Sequence, residues 1–149
     1  KRVFSMIPGL QNAEFVRYGV MHRNSFIDSP RLLNGDFSMR LHPEIYFAGQ
    51  ITGVEGYMES AASGIMAGLN IVRRMEGKSP LILPRETMIG ALSRYISDET
   101  VENFQPMGAN MGILPDIGVR IKDKQQRYQA VADRALDAFE TYIKEGTEE

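Results

Sequence analysis

Between Ile45 and Leu69 the chain reads Ile-Tyr-Phe-Ala-Gly-Gln-Ile-Thr-Gly-Val-Glu-Gly-Tyr-Met-Glu-Ser-Ala-Ala-Ser-Gly-Ile-Met-Ala-Gly-Leu. Few local folds accommodate that order. The apolar run Ile45–Ala48 predicts a buried strand. Gly49, Gly53 and Gly56 then predict a turn, and a helix rich in small residues starts near Tyr57. The first N–H groups of a helix lack partners within it, and the helix dipole adds partial positive charge at the same end. Such a turn can receive a flat or anionic ligand.

Spacing alone does not name that ligand. The pattern is G-x-x-x-G-x-x-G, not the G-x-G-x-x-G of dinucleotide folds, and no G-x-x-x-x-G-K-[ST] loop occurs. A glycine-rich turn with no ligand satisfies the same spacing.

The wording of the segment narrows the choice. Phe47-Ala-Gly-Gln-Ile-Thr-Gly-Val-Glu-Gly-Tyr-Met-Glu-Ser-Ala-Ala62 resembles the C-terminal FAD-contacting segment of the GidA-like tRNA-modifying flavoproteins. Thr52-Gly-Val-Glu-Gly-Tyr57 is nearest to one branch, the folate-dependent tRNA uracil-5-methyltransferases. Two further stretches resemble that branch. One runs from Met6-Ile-Pro-Gly-Leu10 through Ala13-Glu-Phe-Val-Arg-Tyr-Gly19 to Met21-His-Arg-Asn24. The other runs from Phe104-Gln-Pro-Met-Gly-Ala-Asn110 to Gly112-Ile-Leu-Pro115. Together they extend the resemblance from about Lys1 to Tyr142.

The resemblance implies FAD as cofactor, with methylenetetrahydrofolate and NAD(P)H as co-substrates and tRNA as partner. The implied reaction is methylation of carbon 5 of a T-loop uridine. Gly49, Gln50, Ile51, Thr52, Gly53, Glu55, Gly56 and Tyr57 are the implied FAD-binding residues. On the residues alone Glu55 is better read as a cap of the following helix, and Tyr57 can be read as an anchored aromatic. His22, Arg23 and Asn24 are candidates for folate or substrate contact. An imidazole at His22 could stack on the pterin or move a proton near neutral pH, and Arg23 could grip a phosphate or carboxylate. A structural histidine is the plain alternative. Phe104–Pro115, which resembles the family's C-terminal loop, could touch tRNA or close over the site, or simply pack.

The chain departs from the family in two ways. It carries no cysteine, although the family's methyl transfer is expected to use cysteine, so no catalytic residue is assigned here. It also lacks the upstream FAD fingerprint. The expectation is a C-terminal fragment whose missing N-terminal part completes the site, inactive by itself.

The expected fold class is α/β: the strand, glycine-rich turn and helix of an FAD-binding Rossmann-type domain, part of a strand-rich second domain, and C-terminal helices. Residues 1–41 are assigned to the second domain, 42–78 to the FAD-binding unit and 79–149 to a helical region with an ordered loop at 101–117. Short strands are expected within 3–27, over Phe37–Leu41 and over Glu44–Ala48, with turns at Pro8-Gly9, Ser29-Pro30 and Asn34-Gly-Asp36. A helix is expected over Tyr57–Met75, closed by Arg73, Arg74 and Gly77. Gly64 and Gly68 inside it would each cost about 1 kcal/mol against Ala, and close packing is the expected compensation. Leu81, Ile82 and Leu83 should tuck a linker onto the core. Thr87 should cap a helix to about Ser97, and Asp123 a helix to about Ile143. The stripe Tyr128, Val131, Ala135, Phe139 and Tyr142 should be core, and the tail Gly146–Glu149 frayed.

Composition excludes several classes. With 43% hydrophobic and 24% charged residues over 149 positions, a folded domain is affordable in size and burial. The net charge of −2 gives no basic footprint of nucleic-acid binding, though residues 1–44 are mildly basic. Disulfides, Cys-ligated zinc and iron–sulfur clusters need cysteine. Two separated histidines make no metal site. No apolar run approaches the roughly 20 residues of a membrane span, and a cytoplasmic location is the default. Two rival readings stay open: the sister GidA-like branch that modifies the wobble uridine, and a stand-alone binding domain without enzymatic activity.

Overall fold

Residues 2–16 and 25–146 are described by the computed structural model. Four α-helices follow in order: α1 (Ser29–Leu32), α2 (Tyr57–Met75), α3 (Met88–Tyr95) and α4 (Lys124–Gly146). Short 3-10 turns form at Phe4–Met6, Gly49–Thr52 and Met111–Ile113.

Helix α2 spans the predicted residues. It buries Ser63, Met66, Ala67 and Asn70, spaced three and four apart on one face. Its C-terminus closes as the glycine signal predicts. Gly77 N–H donates to the Arg74 carbonyl (3.1 Å) and Lys78 N–H to the Arg73 carbonyl (2.9 Å), the paired bonds of a Schellman motif. The expectation for Gly64 and Gly68 fails. Both lie exposed on the opposite face, and a Cβ on either would meet nothing within 4 Å. Nothing among the described residues packs there to offset the cost of glycine in a helix.

The expected strands also differ. Among the described residues there are isolated bridges but no continuous strand. Leu33 pairs with Met39, and Ser38 with Tyr46, both antiparallel. Asn34 N–H donates to Ser38 O (2.9 Å), Met39 N–H to Ile45 O (2.8 Å) and Phe47 N–H to Phe37 O (3.0 Å). The chain therefore makes three short antiparallel passes between Leu32 and Phe47. Two features stop the ladders from lengthening. Phe37 takes a positive φ of 71°, which bends the middle pass, and the 3-10 turn at Gly49 ends the third. In residues 2–16 the backbone bonds locally instead, through Met6 N–H to Val3 O (3.2 Å), Ile7 N–H to Phe4 O (3.1 Å) and Leu10 N–H to Ile7 O (3.0 Å). Amides satisfied within a turn have no need of a sheet partner. Ser29-Pro30, read as a turn, opens α1, where proline suits the first helical positions.

The core draws on residues from Phe37 to Phe104. Phe37, Val54, Met66, Ala67, Leu83, Leu92, Ile96 and Phe104 form one buried cluster. Full burial of a residue such as Leu92 or Ile96 stabilises by about 1.5–3 kcal/mol. The linker tucks in as expected, with Leu83 buried and Leu81 packed beside the cluster. Asn70, only 1% exposed, fastens it. Its Oδ1 accepts from Leu81 N–H (2.6 Å), and its Nδ2 donates to Leu81 O (3.0 Å) and Asp36 O (3.3 Å).

Thr87 caps α3 by accepting from Gly90 N–H at 3.1 Å, and Asp123 caps α4 by accepting from Gln126 N–H at 2.8 Å. Helix α4 otherwise departs from expectation, because it buries no residue fully. Tyr142 packs against the core and accepts from Ile82 N–H (3.2 Å). Tyr128 and Phe139 each remain 39% exposed. The helix is tethered as much by polar bonds as by its stripe: Arg134 donates to Pro115 O (2.7 Å) and Asp116 O (2.8 Å).

Candidate functional site

The turn between Ala48 and α2 is held from three sides. Gly49 N–H donates to Ser63 Oγ (2.8 Å), and Ser63 Oγ donates to Ser60 O (2.8 Å), so the buried Ser63 pins the turn to the helix. Thr52 Oγ1 donates to Gly49 O (2.8 Å), and Ile27 N–H donates to Ile51 O (2.9 Å). The loop after Val101 supplies the third side. Val54 pairs in parallel with Met107; Met107 N–H donates to Gly53 O (2.9 Å) and Glu55 N–H to Met107 O (3.0 Å).

Gly53 is the tightest point. It takes φ 84°, and a Cβ there would overlap the Phe104 ring, with Cε1 at 2.7 Å. Only glycine combines that dihedral with that contact. Phe104 is itself fixed by an edge-on contact with Phe26 (centroids 5.9 Å) and a tilted one with Tyr95 (5.5 Å). The expected ordered loop at 101–117 is thus the back wall of the turn.

The sequence-predicted turn residues differ in exposure, Gly49 being half-buried. Thr52 and Gly53 are buried in the turn, with the Thr52 hydroxyl spent on Gly49. Gln50, Ile51, Glu55, Gly56 and Tyr57 lie exposed along its rim, Tyr57 at 97%. His22, Arg23 and Asn24 lie outside the described residues.

Helix α2 begins with no side chain capping it. Glu55 therefore does not cap, which corrects the preferred reading of that residue: its N–H pairs with Met107 O and its side chain stays exposed. Gly56, the N-cap, has φ 109° and ψ 149°, a region that side chains disfavour. A carboxylate does lie beside this end, but it is Glu59. Its Oε1 accepts from Ala109 N–H at 3.1 Å, and the side chain crosses Gly56. Glu59 offsets part of the positive end of the dipole on the side of the 101–117 loop. On the other side Tyr57 and Met58 stand exposed, leaving an uncapped, polarised backbone edge. Such an edge can donate to an electron-rich ring or a phosphate.

Sequence reasoning missed Ser63, Glu59 and Asn70. Ser63 and Asn70 repeat every three to four residues with Met66 and Ala67, and that spacing was their one available signal. Among the described residues no group of His, Asp and Glu could hold a metal ion, and no helix is long and apolar enough to cross a membrane.

A family model described as glucose inhibited division protein A matches residues 1–79, more than half of the chain. The chain belongs to the GIDA family. The matched range holds the glycine turn and all of α2, the parts of the GIDA chain described above as one unit. Longer alignments pair it with proteins named methylenetetrahydrofolate–tRNA-(uracil-5-)-methyltransferase TrmFO. The relative from Streptococcus agalactiae serotype Ia is 58% identical over 144 residues, covering 96% of this chain and 32% of the relative. The one from Enterococcus faecalis is 56% identical over 137 residues, covering 92% and 32%. The one from Staphylococcus aureus strain Newman is 55% identical over 145 residues, covering 97% and 33%. The GIDA-family chain thus spans about a third of the length of these relatives. The alignments run past residue 79 and take in the Phe104 loop.

Proposed function

We propose that this chain supplies the flavin-ring end of the FAD site in a methylenetetrahydrofolate-dependent tRNA uracil-5-methyltransferase. The observation that carries the reading is the Thr-Gly-Val-Glu-Gly-Tyr segment folded into an uncapped helix start, in a chain 58% identical to a protein named for that activity. The unit would be the C-terminal part of a Rossmann-type FAD domain. Sequence outside these 149 residues would complete it and bring the catalytic cysteine chemistry, since relatives three times as long carry the name. A cytoplasmic location follows from tRNA as substrate.

The residues present fit a flavin. The exposed Tyr57–Met58 edge offers backbone donors without a competing cap, on the side of the turn away from the Glu59 carboxylate that lies over Gly56. Gln50 on the rim can bond a polar side chain of the cofactor. When bound, FAD with NAD(P)H would supply the reducing electrons, and methylenetetrahydrofolate the one-carbon unit. The chain's own part is to orient the ring, to stabilise negative charge with the α2 N–H groups, and to shut the back of the turn against water with Phe104. His22, Arg23 and Asn24 are proposed for folate contact.

The test uses the native polypeptide that carries this chain. Tyr57→Ala and Gln50→Ala, both exposed and tolerable to the fold, should lower flavin content and 5-methyluridine formation in tRNA. Unchanged flavin content and methylation in both variants would overturn the assignment. The product also separates the reading from the wobble-uridine branch, which makes no 5-methyluridine.

A further inference from the structure

A second opening lies at the other end of α2. It is a cavity of about 670 Å³ whose walls include Asn34, Asp36, Ser38, Tyr46, Asn70 and Arg74. That volume is in the ordinary range of small-molecule sites, roughly 300–1,000 Å³. Its chemistry has two poles.

Asp36 is the inner pole. It is only 8% exposed. Its Oδ1 accepts from Ser38 N–H (3.0 Å) and Ser38 Oγ–H (2.6 Å). Its Oδ2 has no hydrogen-bond partner among the described residues. That oxygen is open to the cavity that Asp36 lines, and the neighbouring side chains make their bonds elsewhere. Both Asn70 Nδ2 bonds go to backbone carbonyls, Asn34 Nδ2 donates to Ser38 Oγ (3.0 Å), and Tyr46 Oη makes its one bond, a long 3.5 Å, to Asn70 O.

Arg74 is the outer pole. Lys78 on the same rim is paired with Glu76 at 2.7 Å. The Arg74 guanidinium makes no hydrogen bond or ion pair among the described residues. The half-buried Tyr46 lines the same cavity and lies within reach of both charges. An inorganic anion would meet Arg74 but be repelled by Asp36. A simple amine would meet Asp36 but be repelled by Arg74. The cleft suits a molecule with a flat donor-bearing end and an anionic end.

We infer that this cleft binds a phosphorylated nucleotide whose base carries an exocyclic amino group. The amino group donates to Asp36 Oδ2, the base lies along Tyr46, and the phosphate meets Arg74 by charge-assisted hydrogen bonds. Adenine, guanine and cytosine qualify; uracil has no such amino group. The ligand can be a free nucleotide or one residue of an RNA strand. The inference is independent of the methyl-transfer reading, because the site is at the far end of α2 and the readout is binding.

The experiment measures binding of AMP, GMP, CMP and UMP to the native polypeptide by calorimetry, and of tRNA by fluorescence anisotropy. At least one amino-bearing nucleotide should bind tenfold or more tightly than UMP. Asp36→Asn keeps the Oδ1 bonds to Ser38 but turns the free acceptor into a donor, and should erase that preference. Arg74→Ala should weaken every nucleotide at least fivefold. Because Arg74 is exposed, that variant keeps the test sound if Asp36→Asn unfolds; flavin content and thermal midpoint serve as folding controls. If mononucleotides bind too weakly to measure but Arg74→Ala weakens tRNA at least fivefold, the ligand is a nucleotide within the strand. UMP binding as well as the others, or nucleotide and tRNA affinities that Arg74→Ala leaves unchanged, would overturn the inference.

Discussion

The ring of Phe104 occupies the space that a side chain on Gly53 would need. Gly53 also has a φ of 84°, so a Cβ there meets strain and overlap together. Gly53→Ala should destabilise the fold by about 2–4 kcal/mol, read from urea unfolding. Phe104→Ala will be costly alone, but the double variant should lose clearly less than the sum of the two. Strict additivity would show that Phe104 is not what Gly53 accommodates.

Asn70 and Leu81 exchange two hydrogen bonds, and Asn70 adds a third to Asp36. Asn70→Ala leaves buried backbone groups unpaired and should cost about 2–4 kcal/mol. The amide of Leu81 should then exchange with solvent much faster than in the parent protein. Unchanged exchange at Leu81 would mean the linker is held by its apolar residues alone.

Gly64 and Gly68 face open space. In the 149-residue chain, Gly64→Ala and Gly68→Ala should each stabilise by up to about 1 kcal/mol. In a longer polypeptide whose added sequence covers this face of α2, the same changes should destabilise. Equal effects in both contexts would show that the face stays bare.

Tyr46 is held above the usual phenol value of about 10, first by burial and then by the nearby charge of Asp36, with Arg74 opposing. The folded state thus favours the neutral phenol. Its contribution is fully present below the unfolded value and is lost as pH rises through the higher folded one. Ultraviolet titration should show a late component that Tyr46→Phe removes, and Arg74→Ala should make it later still. A Tyr46→Phe protein with an identical titration curve would refute the assignment.

Helix positions were the most legible part of the chain. The small-residue run from Tyr57, the glycine at position 77, and the caps Thr87 and Asp123 each act within a few residues, so local chemistry suffices to place them. Strands were the least legible. Ile45–Ala48 has strand composition, but a ladder depends on a partner elsewhere in the chain, and a positive φ at Phe37 has no local signature in a phenylalanine. The stripe of α4 has the right period, yet the period does not say how deeply a face is buried. The rim of the glycine turn could be read from its wording. Its back wall at Phe104 lies some fifty residues away and emerges only from the pairing of Val54 with Met107.

Helix α2 also works as a spacer. Nineteen residues at 1.5 Å each hold its ends about 28 Å apart. The uncapped start and the Asp36–Arg74 cleft are therefore too far apart for one metabolite to bridge. One strand of a duplex, rising about 3.4 Å per residue along the axis, would cover that span in roughly eight steps. If both ends are ever engaged by the same molecule, that molecule is a polymer, and the length of α2 sets the number of its units between them.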